Sequence, residues 1–276
     1  MAPADDSRLP RFETIALARN GRLLTITLNR PDTLNAIDDQ MHEDLTEVLA
    51  FVAGDEHSDV IVLTGMGRAF SAGGDFAHLA DMAANPEMFD RDATRAKRIV
   101  FSILDLEKPL ICRLNGHATG LGATLALLSD VVFAADSAKI GDPHVTIGLV
   151  AGDGGALVWP ERIGYARAKE YLMTGDLVPA KKAEELGLIN RCLPAAELDA
   201  AVDAFCQRLL QGSTNAIRWT KVLVNLELKR KAHAIMDAGI AYEAVTVRSD
   251  DFRDAVEALR NKRTPTFRKA GPGEQK

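Results

Sequence analysis

Two glycine-rich stretches, Phe70-Ser71-Ala72-Gly73-Gly74-Asp75 and Asn115-Gly116-His117-Ala118-Thr119-Gly120-Leu121-Gly122, each follow an apolar run of strand character. Small residues let a chain turn tightly and let a ligand reach the main chain. Backbone N–H groups fixed at such turns stabilise negative charge as it develops on an oxygen. The pair reads as an oxyanion site, whereas either stretch alone would read as a tight turn. His78 and His117 lie beside these turns. A third glycine-rich segment, Gly141 to Gly155, carries His144 and, nine residues on, Asp153. Taken alone, a histidine in such a stretch is by default structural, and an aspartate ahead of a helix is a cap.

The elements that must position these residues alternate. Phe12–Arg19 and Leu23–Leu28 form a hairpin around Asn20-Gly21, and a helix over Ile37–Val52 starts from Asp38 as cap. Val60–Leu63 and Pro109–Leu114 are short buried strands that lead into the glycine turns, with helices over Pro86–Leu106 and Gly120–Leu128 and a strand over Val131–Ala134. From Glu197 onward the pattern turns helical, with helices over Glu197–Leu210, Thr214–Lys231, Ala234–Val247 and Asp250–Asn261. In that tail Tyr242-Glu243 reads as packing or interface, and Trp159-Pro160 as core.

The 276 residues, 47% hydrophobic, suffice for one large core, and the formal net charge of −6 argues against nucleic acid or an anionic membrane as partner. Cys112, Cys192 and Cys206 are odd in number and far apart, which predicts reduced thiols with no metal site. The N-terminus has no signal-peptide pattern and no run has the length of a membrane span, which predicts a cytoplasmic protein.

Several separated motifs then agree in order and spacing: Asn29-Arg30-Pro31-Asp32-Thr33-Leu34-Asn35-Ala36, the two glycine turns, Ser129-Asp130, and Lys262-Arg263-Thr264-Pro265-Thr266-Phe267. From about Phe12 to Phe267 the chain resembles the crotonase superfamily, that is, the enoyl-CoA hydratase/isomerase family. The resemblance implies an α/β fold, a spiral of ββα units over 12–200 followed by a helical trimerisation region over 201–268. Residues 1–11 and 269–276 are read as disordered ends. It further implies an enzyme that holds an acyl-CoA thioester carbonyl between two backbone N–H groups, by position those of Ala72 and Leu121. Gly73, Gly74, Asp75, Gly120 and Thr124 would bind substrate. Arg30, Leu34, Lys262 and Phe267 would contact CoA, the last two from a neighbouring subunit. Coenzyme A enters only as part of the substrate, no cofactor is permanently bound, and the assembly is a homotrimer or a dimer of trimers.

The chain departs from the hydratase pattern where the family's two glutamates stand, because Thr124 and His144 occupy those positions. Threonine is no base near neutral pH, while an imidazole titrates near about 6.5. His144 with Asp153 resembles the pair in the β-diketone hydrolases of the superfamily, such as 6-oxocamphor hydrolase. Two assignments stay open: His144 as general base oriented by Asp153, or Asp153 as base with His144 as hydrogen-bond donor. The reaction is then proton transfer or water addition on an acyl-CoA or, alternatively, hydrolysis of a C–C bond in a β-dicarbonyl compound. A non-enzymatic, RNA-binding or scaffolding role suits the acidic chain and the intact glycine turns poorly.

Overall fold

A computed structural model describes residues 9–267. Strands β1 (Ile15–Asn20) and β2 (Leu23–Leu28) pair antiparallel across a turn in which Gly21 takes φ 59°, a left-handed value that glycine adopts freely. Helix α1 (Asp39–Gly54) follows, with the Asp38 carboxylate accepting from the Met41 N–H. A strand–strand–helix unit then recurs. The first comprises β3 (Val60–Gly65), β4 (Ala69–Ser71), α2 (Phe76–Ala84) and α3 (Phe89–Asp105). The second comprises β5 (Leu110–Leu114), β6 (His117–Thr119) and α4 (Leu121–Leu128), and the third β7 (Val131–Ala135), β8 (Lys139–Gly141) and α5 (Gly155–Ile163). After α6 (Tyr165–Thr174), β9 (Val178–Pro179), α7 (Ala180–Leu186) and β10 (Arg191–Leu193), the rest is helical: α8 (Ala195–Leu210), α9 (Thr214–Val247) and α10 (Asp250–Arg260).

The first strand of each unit enters one sheet and the second enters another. The larger sheet has the order β1-β2-β3-β5-β7-β10 and is parallel beyond β2; the smaller has the order β4-β6-β8-β9, with β4, β6 and β8 parallel. Every residue of α4 is buried, as its uninterrupted apolar sequence demands of a helix inside the core. Ala96, Ile99, Val100 and Ile103 bury one face of α3 at helical spacing, and Trp159 of α5 is fully buried. Leu198, Val202 and Cys206 of α8 cover Val60, Val62, Ile111 and Phe133 of the larger sheet. The three cysteines are free.

One helix lies outside the elements expected from the sequence, and one expected break is absent. The segment Phe76–Ala84 is a separate helix, capped by the Asp75 carboxylate, which accepts from the N–H groups of Ala77 (2.9 Å) and His78 (3.4 Å). The expected break between Lys231 and Ala234 is absent: α9 runs unbroken for 34 residues, because buried Ala232 and Met236 keep it seated on the core. The expected disordered ends lie, apart from residues 9–11, outside the described residues.

Candidate active site

Because β4, β6 and β8 are parallel neighbours, the segments leaving their carboxyl ends come together. These are the two glycine turns and the loop of His144 and Asp153. They border a cavity of about 160 Å³ lined by Ala72, Gly73, Gly74, Gly120, Leu121, His144 and Asp153. An apolar cavity of about 150 Å³ accepts a benzene ring, so the space suits a short chain or one ring. Glycine is required where the turns meet. A Cβ on Gly73, at φ 77°, would stand 2.7 Å from the Thr119 carbonyl oxygen. Gly120 holds φ 53° and ψ −129°, and a Cβ there would stand 3.5 Å from His144 Cε1.

Backbone hydrogen bonds decide which N–H groups are open. The Ala72 N–H donates to the Leu34 carbonyl at 3.0 Å, and the Gly73 N–H to Ser71 Oγ at 3.2 Å. Ala72 is therefore not available as an oxyanion donor, contrary to the expectation. Among the described residues, Gly74 is left with an N–H that no protein acceptor takes. The motif around Asn35 causes the shift. Asn35 Nδ2 donates to the carbonyls of Met66 and Ala69, Ser71 Oγ donates to the Asn35 carbonyl, and the strapped segment consumes the Ala72 N–H. In the second turn Leu121 is the first residue of α4, so its N–H has no acceptor within the helix.

Other expected contacts move away from the cavity. Thr124 is fully buried against Gly154, its Oγ1 has no partner, and it does not line the space. Asp75 is engaged as the cap of α2 and lies 3.1 Å from Arg30. Arg30 also pairs with Asp38 at 2.9 Å, so two carboxylates neutralise the charge expected to meet CoA phosphates. Leu34 serves the first turn through its carbonyl. Lys262 and Phe267 are exposed beyond α10, and neither lines the cavity of its own chain. His117 is exposed, its Nδ1 accepting from the Lys139 N–H, whereas His78 lines the cavity.

His144 sits among three acidic side chains: Asp153, Glu243, which the sequence suggests is a packing residue, and Asp142, which the sequence motifs do not single out. Its Nδ1 bonds Asp142, while its Nε2 lies 3.5 Å from Asp153 and 4.0 Å from Glu243. Asp142, rather than Asp153, orients the ring. Asp153 does not cap α5, where Gly154 is the cap residue, and its Oδ1 is buried without a partner. Burial alone would lower the His144 pKa, but Asp142, Asp153 and Glu243 outweigh it and hold the imidazolium well above the ordinary histidine range. Burial pushes Asp153 up to about 6, against the pull of His144 and with the repulsion of Asp142. Burial, then the Asp153 charge, drives the Glu243 carboxyl well above its ordinary value.

Glu243 reaches the site through a close helix–loop contact, which corrects its reading as a packing residue. A Cβ on Gly152 would lie 2.4 Å from the Gly239 carbonyl oxygen, so only glycine lets the loop approach α9 this closely. Thr246 Oγ1 accepts from the Val150 N–H at 3.2 Å, which fixes the register. Glu243, one turn past Gly239, then faces His144, whereas Tyr242 is exposed. The signals available were Asp142, two residues before His144, and the glycine in α9 one turn before a glutamate.

Residues 18–270 match the model of the family described as enoyl-CoA hydratase/isomerase. The chain belongs to this family. A probable enoyl-CoA hydratase of Mycobacterium tuberculosis is 33% identical over 93% of this chain and 98% of its own length. The 1,2-epoxyphenylacetyl-CoA isomerase of Escherichia coli is 33% identical over 89% of this chain and 94% of its own length. Among solved structures, an enoyl-CoA hydratase/isomerase from Mycobacterium paratuberculosis superposes with a TM-score of 0.86 at 37% identity, covering 90% of this chain and 99% of that one. A β-diketone hydrolase from the cyanobacterium Anabaena, bound to (S)-3-oxocyclohexyl acetic acid, superposes with a TM-score of 0.81 at 27% identity, covering 87% and 98%. The expected α/β crotonase-type fold is thereby established, and the protein is an enzyme of the enoyl-CoA hydratase/isomerase family.

Proposed function

We propose that this enzyme binds a short or single-ring acyl-CoA thioester with its carbonyl oxygen between the N–H groups of Gly74 and Leu121, and moves a proton beside that carbonyl with Asp153. The observation that carries this reading is the convergence, in one cavity, of two open backbone donors and a buried His–carboxylate cluster. Negative charge that develops on the thioester oxygen meets both donors and the positive end of α4. Asp153, at about 6, is mostly ionised at neutral pH yet retains basicity, which suits a general base. His144, held cationic and oriented by Asp142, donates to an oxygen of substrate or water. This favours the assignment of Asp153 as base over that of His144. Burial and the Asp153 charge raise the proton affinity of Glu243, so the ionisation of each carboxyl depends on that of the other. CoA contacts come from Lys262 and Phe267 of a neighbouring copy in a trimer.

A panel of acyl-CoA thioesters, saturated, α,β-unsaturated, aromatic and β-keto, with products identified by mass spectrometry, tests the reading. Turnover of at least one thioester is expected, and the product assigns hydration, isomerisation or hydrolysis. The second reading, hydrolytic C–C cleavage of a β-dicarbonyl compound, draws on the His144–Asp153 proximity and on the Anabaena neighbour. Turnover of cyclic β-diketones without CoA, and of no thioester, would replace the first reading by the second.

A further inference from the structure

The cavity has a second polar wall, contributed by α1, α2 and α3, that the proton transfer does not use. His42, His78 and Asp92 all line it and all are at least nine-tenths buried. His78 Nε2 lies 2.6 Å from Asp92 Oδ2, and the candidate bonding atoms of the three residues lie within 4.8 Å of one another. Two hydrogen-bonding positions stay open. The first is Asp92 Oδ1, which is buried without a partner. The second is on His42, whose Nδ1 faces the Asp38 carbonyl at 3.2 Å and so carries the proton, leaving Nε2 as an acceptor.

We propose that a hydroxyl group on the acyl chain donates its one proton to His42 Nε2, beside Asp92, so that the enzyme selects a hydroxylated acyl thioester over its deoxy counterpart. The inference rests on the acyl-thioester reading above and specifies its substrate class. Both open positions accept, so the ligand must donate. A ketone or ether oxygen offers no proton, and a carboxylate would meet the Asp92 charge. Burial keeps His42 neutral by lowering its pKa. Burial alone would raise Asp92, but the His78 hydrogen bond and the neighbouring cations bring it below the ordinary carboxylate value. The 2.6 Å contact is a short hydrogen bond between the His78 ring and the Asp92 carboxylate. It is shorter than the spacing of about 3.3 Å between two ligands on a tetrahedral zinc ion, which disfavours a metal triad. A buried site made to pair with a substrate hydroxyl rejects the analogue that lacks it more strongly than an apolar pocket rejects a methylene.

Calorimetric titration of the full-length protein with matched thioesters tests this. The probes are cinnamoyl-CoA against its 2-, 3- and 4-hydroxy derivatives and hexenoyl-CoA against its 4-, 5- and 6-hydroxy derivatives, with methyl ethers and ketones as controls. At least one hydroxylated member should bind about tenfold tighter than its parent, and its methyl ether and ketone should not. His42→Phe, which keeps an aromatic ring and removes the acceptor, should bring the two members of that pair within about twofold. Parents that bind as tightly as every hydroxylated member overturn the inference and leave the acyl-CoA reading standing. Failure of all thioesters to bind overturns both.

Discussion

At the scale of single residues, the proposed chemistry turns on the His144 imidazole, set among Asp142, Asp153 and Glu243. Asp153→Asn removes the proposed base with little change in shape, and kcat should fall by about 10²-fold or more on whichever thioester the panel identifies. His144→Ala should cost a similar factor, about 10²-fold, by removing the donor. Near-normal turnover in either variant would take that residue out of the chemistry. The pH dependence has a defined sign. Asp153 and His144 keep their protons to higher pH in the folded protein than in the unfolded chain. The stability each contributes is complete below its unfolded value, about 3.9 for aspartate and about 6.5 for histidine, and is lost as pH rises through the folded value. For Asp153 that window closes at about 6. The stability of the wild type relative to Asp153→Asn, from urea midpoints, should therefore fall between pH 4 and about 6. In activity, an ionised Asp153 predicts kcat/KM rising with pH through about 6. His144 and Asp153 were legible as candidates because they stand in a glycine-rich loop, and the strand leading into that loop, β8, pairs with β6, which leads into the second glycine turn. The donor at the first turn was not legible. Whether Ala72 or Gly74 presents a free N–H depends on where the Leu34 carbonyl lands, and that is a tertiary fact.

At the scale of elements, the alternation of apolar runs and glycine turns was enough to place β3, β5, α4 and β7, since buried strands and an all-apolar helix leave strong local patterns. Helix α2 was harder to see because its one turn-forming signal, Asp75, also sits in the glycine motif. Glu243 was out of reach for a different reason. It joins His144 across 99 residues of chain through one glycine–glycine contact, and no periodicity reports such a contact. That contact makes a prediction at this scale. Gly152→Ala drives a methyl group toward the Gly239 carbonyl and the Glu243 carboxylate, so α9 must move away from the loop. Stability should fall by about 1–3 kcal/mol, read from urea unfolding, and turnover should fall with it. Unchanged stability and turnover would mean that α9 does not position the site.

At the scale of the whole molecule, α9 spans about 50 Å and presents Trp219, Leu223 and Leu226 along one exposed face, 59%, 68% and 56% accessible. Such a stripe calls for an apolar partner, and a trimer of this chain would supply it while bringing Lys262 of one copy to the nucleotide end of its neighbour's ligand. The trimer proposed above predicts that Leu223→Glu shifts the species seen by light scattering toward monomer, whereas an unchanged mass would contradict a trimer held by this face. Lys262→Glu should weaken CoA thioester binding about tenfold without shifting oligomeric state, a loss in keeping with reversing one charge at a phosphate contact. Among the described residues no helix is long and apolar enough to cross a membrane. The most direct test of the central claim is a crystal structure with a non-reactive acyl-CoA thioether or ketone analogue bound. The oxygen standing for the thioester carbonyl should lie about 2.7–3.1 Å from both Gly74 N and Leu121 N, with the adjacent carbon facing Asp153. A carbonyl oxygen seated away from both N–H groups would contradict the oxyanion site.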